Sequence, residues 1–367
     1  MIINICPTIG GIEMPKQLIA QAPRKTAITT YEDRDIKPNE VKVRVEHASP
    51  KHGSELAGFR GESPHTADYF DEKDGWNLFL PRDPKDISTD GGFGRWNLGN
   101  QWVGVIIEAG SEVTEYKVGD RVCCYGGIRE THIVNAVDNY YLKKMPEGMS
   151  WKNAVCFDPA QFAFGGIRDA HVRAGDRVAV FGLGAIGQIA AQLAKMAGAS
   201  WVAVVDPIEG RRQVAIKNGA DAAYDPANED VGLELKKATG KLGVDVIIET
   251  SASEFALQQS LRGLAYGGTI AFVGWARAFK GGLDLGREAH FNNAKIVFSR
   301  ACSEPNPDYP RWSWRRIEDV CWEILSAGRI DCEDIISPVV PFEQSAEGYE
   351  QYVDQRPDQS IKLGVTF

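Results

Sequence analysis

The sequence predicts an α/β protein of two domains, a doubly wound parallel sheet inserted within a discontinuous β-rich domain. Three observations predict it. The apolar strand at 178–181 runs straight into Gly182-Leu183-Gly184-Ala185-Ile186-Gly187 and then into helix-forming residues 188–197. From about 159 to 299, apolar strands alternate with helical stretches, the pattern of a parallel sheet wound on both faces. Residues 1 to about 150 carry short strands separated by turn signals, and a strand at 361–367 closes the chain. The expected division is a β-rich domain over 1–160 and 300–367 around a dinucleotide domain over 161–299.

The elements follow in order. Residues 1–6 lack the basic flank and long apolar core of a signal peptide and are expected to supply a first strand. Val41, Val43 and Val45 alternate with polar neighbours, as a half-buried strand requires. Residues 102–110 and 118–122 give two further strands at glycine turns. Residues 59–98 are long, polar and aromatic (Tyr69, Phe70, Trp76, Phe79, Phe93, Trp96), so a lid over a ligand and a subunit contact are equally expected there. In the middle, strands at 201–205, 244–250, 268–274 and 295–299 follow the glycine turn. The tail offers a helix over 315–327, an apolar stretch at 335–342 and the last strand.

The glycine turn carries chemistry. Gly182 permits the tight turn, Gly184 lets the backbone approach a pyrophosphate, and Gly187 allows helix and strand to pack closely. The free N–H groups at the helix start then favour phosphate. Asp206 ends the next strand, where a carboxylate accepts hydrogen bonds from ribose hydroxyls and repels a 2′-phosphate, so NAD is the expected cofactor. Arg211 follows it and either offsets that repulsion or stacks on adenine. Ala185, Ile186, Thr250, Val273 and Gly274 complete the residues expected around the dinucleotide.

Composition excludes other classes. A formal charge of −9 disfavours nucleic acid and anionic membrane surfaces as partners. No apolar run approaches the roughly 18 residues that span a bilayer. The seven cysteines (Cys6, Cys123, Cys124, Cys156, Cys302, Cys321, Cys332) are scattered without any C-x-x-C pair. They are expected to be reduced, buried thiols of a cytoplasmic protein.

Several segments together carry a resemblance. Asn39-Glu40-Val41-Lys42-Val43-Arg44-Val45-Glu46 reads as an N-terminal strand, and Lys117-Val118-Gly119-Asp120-Arg121-Val122 as an x-x-G-D-R-V turn. Ala174-Gly175-Asp176-Arg177-Val178 leads into the nucleotide fold. Gly328-Arg329-Ile330-Asp331 and 341–349 close the pattern. In this order they resemble the medium-chain dehydrogenase/reductase family, which includes zinc alcohol, sorbitol and threonine dehydrogenases, over nearly the whole chain. The resemblance implies a Rossmann domain, a discontinuous GroES-like catalytic domain, and a homodimer or homotetramer paired through 295–299.

The family's zinc ligands are replaced. Its first Cys falls on Lys51 or His52, its G-H-E triplet reads Gly99-Asn100-Gln101, and its E-P pair reads Asp158-Pro159. The four-cysteine structural-zinc loop has no counterpart, because no Cys lies between Ala57 and Gly99. His52, Asp158 and Glu55 are the side chains left to a metal, against a minimum catalytic set of about three ligands and a water. No metal is expected.

Without zinc, a positioned base must take the hydroxyl proton. His52 titrates in the right range. Lys51 serves if burial beside a cationic nicotinamide favours its neutral form. Asp158 then orients the base or binds a substrate hydroxyl, or else caps the helix that Pro159 begins. Asn100 and Gln101 suit a polyol, since each amide both donates and accepts. Ser54 resembles the hydroxyl that relays a proton in zinc-bearing members. Asp308-Tyr309-Pro310-Arg311-Trp312 resembles a segment of zinc-poor sugar and cyclitol enzymes and either lines the pocket or packs the tail. The expected activity is NAD-dependent hydride transfer at a secondary alcohol of a sugar, glycoside or cyclitol. The rivals are NADPH-dependent enone or quinone reduction and a catalytically silent dinucleotide-binding protein.

Overall fold

The computed structural model describes residues 8–9, 12–63, 67–73, 75–83, 85, 92–276, 278–300, 304 and 306–367. The strand expected at 1–6 and residues Cys6, His65 and Cys302 lie outside them. The chain forms two compact units, Met1–Met145 with Ser337–Phe367, and Pro146–Ile336.

In the first unit, Glu40–Ser49 is the organising strand. Val41, Val43 and Val45 are buried along one face, the alternation that the sequence shows. Glu40–Ser49 pairs antiparallel with Gln101–Ala109, Thr131–Asn135 and the last strand, Lys362–Thr366. Two register shifts against Gln101–Ala109, between Lys42 and Val43 and between Val45 and His47, bend it. Leu18, Phe59, Trp102, Ile106 and Tyr349 fill the core beneath. Part of segment 59–98 forms a hairpin, Asp68–Asp71 with Leu78–Pro81, which leaves Trp76, Leu78 and Phe79 exposed.

The second unit holds a six-stranded parallel sheet. Its order is Ala222–Tyr224, Trp201–Val205, Arg177–Phe181, Val244–Glu249, Leu264–Phe272 and Lys295–Phe298. Val178, Ala179 and Val180 are wholly buried, as continuous apolar strands covered on both faces must be. The order reverses beside Arg177–Phe181, the position where such sheets open a crevice at the strands' C-terminal ends.

The tail joins the first unit later than the sequence suggests. Helix Trp314–Ser326 buries Ile317, Cys321, Ile324 and Leu325 and belongs to the second unit. There Trp322 meets Phe157 edge-on at 5.5 Å. Asp308 pairs with Arg168, whose guanidinium lies 3.7 Å over the Trp312 ring. The Asp308–Trp312 segment therefore packs the second unit. Only from Ser337 does the chain belong to the first unit.

One ion cluster fastens that return. Asp354 is 4% exposed, accepts from Arg60 Nε at 2.6 Å and pairs with Arg24 at 3.2 Å. Asp354→Ala is expected to lower the urea-derived unfolding free energy by about 2 kcal/mol, a buried-pair loss reduced because Arg24 stays half in solvent. A change below roughly 0.5 kcal/mol would show that the cluster does not hold the tail.

Candidate functional site

The dinucleotide turn is built as the spacing requires. Gly182 has φ +84°, and a Cβ there would sit 2.8 Å from the Ser251 backbone nitrogen. A Cβ on Gly187 would lie 1.8 Å from the Gly182 carbonyl oxygen, so only glycine allows this helix–strand contact. Nothing lies within 4 Å of a Cβ on Gly184, which leaves open space above the turn. Helix Ala185–Met196 starts there without a side-chain cap, so the N–H groups of its first turn stay available. Thr250 donates its hydroxyl to the Gly182 carbonyl at 2.7 Å and fixes the turn from the neighbouring strand end. Val273 and Gly274 both donate backbone N–H groups to the Glu249 carbonyl.

Asp206 is more committed than the sequence suggests. Its carboxylate accepts from Leu183 N–H at 2.7 Å and from Ile208 N–H at 2.9 Å, and Arg211 stands 3.8 Å away. It therefore ties the glycine turn to its own strand end. Each oxygen keeps a lone pair for a ribose hydroxyl. Arg212 donates to the Asp206 carbonyl and pairs with Asp225, which gives it a structural place.

Glu249 escaped the sequence reading. It ends Val244–Glu249, is fully buried, and accepts from Ser251 N–H at 2.8 Å and Ala252 N–H at 3.1 Å. Those two residues form the wall against which Gly182 and Gly274 pack. Burial pushes the Glu249 carboxyl up to about 7 against the pull of these donors.

In the first unit, the register sets Ser49 opposite Gln101. The turn 50–53 and the amides 100–101 thus leave the same end of two paired strands. Asn100 donates its backbone N–H to the Ser49 carbonyl at 3.0 Å. Its side-chain Nδ2 is buried without a hydrogen-bond partner, a donor left for a ligand. Gln101 is fully buried. Lys51 and His52 are partly exposed. The Leu363 N–H donates to His52 Nε2 at 3.1 Å, so neutral His52 carries its proton on Nδ1. Ser54 begins helix Ser54–Phe59, but its side chain is not among the described atoms.

Glu55 faces inward. It accepts from Gly99 N–H and from the Tyr349 hydroxyl, each at 2.8 Å, and also from the Lys51 N–H. Desolvation raises its carboxyl above the usual range, and Tyr349 is driven well above its own. His52 Nε2 is thus already engaged, and Glu55 spends its two oxygens on three donors. Among the described residues, no group of three or more His, Cys, Asp or Glu is disposed to hold a metal.

Asp158 belongs to the second unit and is buried. Helix Phe157–Asp169 starts one residue earlier than Asp158, with Cys156 at the cap position and Pro159 third in the helix. Asp158 therefore lies within the first turn and is not the cap. Two further histidines, His132 and His47, lie on strands of the first unit. His132 stacks on Trp102 at 4.7 Å, and burial lowers it to about 3; His47 is lowered to about 4.

Comparison with known proteins places this geometry. A family model described as zinc-binding dehydrogenase matches residues 185–318. The chain is 61% identical over 352 residues to D-guloside 3-dehydrogenase of Escherichia coli strain K12, covering 96% of this chain and 100% of that one. The chain belongs to the medium-chain dehydrogenase/reductase family. Its fold is also that of 2R,3R-butanediol dehydrogenase from Bacillus subtilis, with TM-score 0.73, 20% identity, and coverage of 96% of this chain and 99% of that one. An alcohol dehydrogenase of Escherichia coli CFT073 complexed with NADH gives TM-score 0.71, 21% identity, and coverage of 96% and 99%. As a member of this family the chain is an oxidoreductase of the alcohol dehydrogenase type that uses a nicotinamide cofactor.

The buried Glu249 makes a pH prediction. A carboxyl raised in the folded state stabilises most below its unfolded value and loses that contribution as pH rises through about 7. Wild-type unfolding free energy should therefore fall between pH 5 and 8 by on the order of 3 kcal/mol more than that of Glu249→Gln. Equal slopes in urea titrations of the two proteins would refute this.

Proposed function

We propose that the chain is an NAD-dependent dehydrogenase that oxidises a secondary hydroxyl of a sugar glycoside, or reduces the ketone, without catalytic zinc. One observation carries the reading. Where zinc-bearing relatives place their first ligand, this chain sets a lysine beside an imidazole whose acceptor nitrogen is already bonded to Leu363 N–H. That arrangement handles protons rather than a metal.

The nicotinamide, when bound, takes or gives the hydride; the chain's own groups manage position and proton. Asn100 Nδ2 offers a donor to a substrate oxygen. His52, with its proton on Nδ1, acts as a second donor that holds the reacting oxygen. Lys51 takes the hydroxyl proton in oxidation and returns it in reduction. Asp206 supports NAD over NADP, because a 2′-phosphate would meet its carboxylate at close range. The full-length similarity to D-guloside 3-dehydrogenase supports a glycoside as substrate. The edge strand Lys295–Phe298, with Phe298 81% exposed, supports pairing of two copies there. No helix among the described residues is long and apolar enough to cross a membrane.

The test is NADH formation over a panel of glycosides, free sugars, inositols and simple alcohols, repeated with NADP. Turnover with glycosides, at kcat/KM about 100-fold higher with NAD than with NADP, is the expected result. Preference for NADPH with an enone, or cofactor binding without turnover on any class, would overturn it.

A further inference from the structure

Lys362 is 3% exposed, an unusual place for an ammonium. It opens the last strand, Lys362–Thr366, and its Nζ donates to the Pro50 carbonyl at 2.5 Å. The same peptide group is held from its other side, since the Lys51 N–H donates to the Glu55 carboxylate. Pro50 C=O and Lys51 N–H are two ends of one amide plane. An ammonium therefore grips its oxygen and a buried carboxyl grips its hydrogen.

The neighbouring bonds extend this grip. Leu363, next along the strand, donates its N–H to His52 and accepts from the Ser49 hydroxyl at 2.6 Å. Glu55 is in turn held by Gly99 N–H and Tyr349, and it attracts Lys362 electrostatically. We propose that Lys362 and Glu55 are positioning residues that clamp the Pro50–Lys51 peptide and so aim the Lys51 side chain at the reacting oxygen. The proposal rests on the proton role given to Lys51 above. A charge-assisted hydrogen bond at one end of an amide and a carboxyl at the other resist its rotation more than a single neutral bond. A displacement of about 1 Å at a reacting group costs roughly 100-fold in rate.

The experiment pairs a structural readout with a kinetic one on the full chain. Lys362→Met keeps the buried aliphatic length and removes the charge; Lys362→Ala leaves room for an added amine. Hydrogen exchange at the Lys51 amide should accelerate at least about 10-fold in Lys362→Met, with global unfolding retained as one cooperative transition. Glycoside oxidation should lose roughly 30–100-fold in kcat with the KM for NAD unchanged. Propylamine should restore several-fold of the lost kcat to Lys362→Ala, with longer and branched amines less effective. Unchanged exchange at Lys51 refutes the clamp, and faster exchange with wild-type kcat refutes its role in positioning. Wild-type protein inert toward every sugar sinks the proposed activity instead, while the exchange measurement still decides the clamp.

Discussion

The last strand of the chain holds the turn on which the candidate chemistry depends. Lys362–Thr366 lies beside Glu40–Ser49, and three of its groups bind residues 49–52: Lys362 the Pro50 carbonyl, Leu363 N–H the His52 ring, and the Leu363 carbonyl the Ser49 hydroxyl. Residues more than 300 positions apart in sequence thus fix one turn. The turn is polar, and the strand holds it with directional bonds rather than apolar burial. Asp354, held by Arg60 and Arg24, anchors the segment just before this strand and so supports the same arrangement.

A second constraint governs the other unit. The glycine turn needs three separate permissions: positive φ at Gly182, open space at Gly184 and near-contact at Gly187. Around it, Asp206, Thr250 and Glu249 spend their polar atoms on backbone groups of the turn or of its wall. A preorganised turn of this kind binds pyrophosphate with little ordering cost. The Asp206 carboxylate that shapes it is also the group on which the proposed preference for NAD rests.

Local signals in the sequence were legible and long-range ones were not. The strand–glycine–helix run at 178–197 announced itself because each part is specified by its own residues, and the central strands by continuous apolar runs. Ala222–Tyr224 went unseen because three partly buried residues carry no periodicity. The helix Trp314–Ser326 was legible, yet its partner was not, so the domain boundary fell short of Ser337. At the candidate site, Lys51, His52 and Asn100 were picked from the family pattern, which marks positions without saying what else touches them. Lys362 was missed because a lysine in an alternating strand reads as a solvent-facing residue. Glu55 was read as a ligand candidate because nothing local reveals Gly99 and Tyr349 beside it. Hydrogen bonds between distant segments decide what each polar side chain is committed to, and one sequence does not display them.

The central claim is that protein side chains, rather than a bound cation, move the hydroxyl proton. Its most direct test is to measure glycoside turnover and metal content together, before and after exhaustive dialysis against a strong chelator. The account predicts undiminished kcat at below about 0.1 equivalents of zinc per chain, against the full equivalent that a zinc-dependent site requires. Loss of activity in proportion to zinc removed, with recovery on adding one equivalent back, would contradict it.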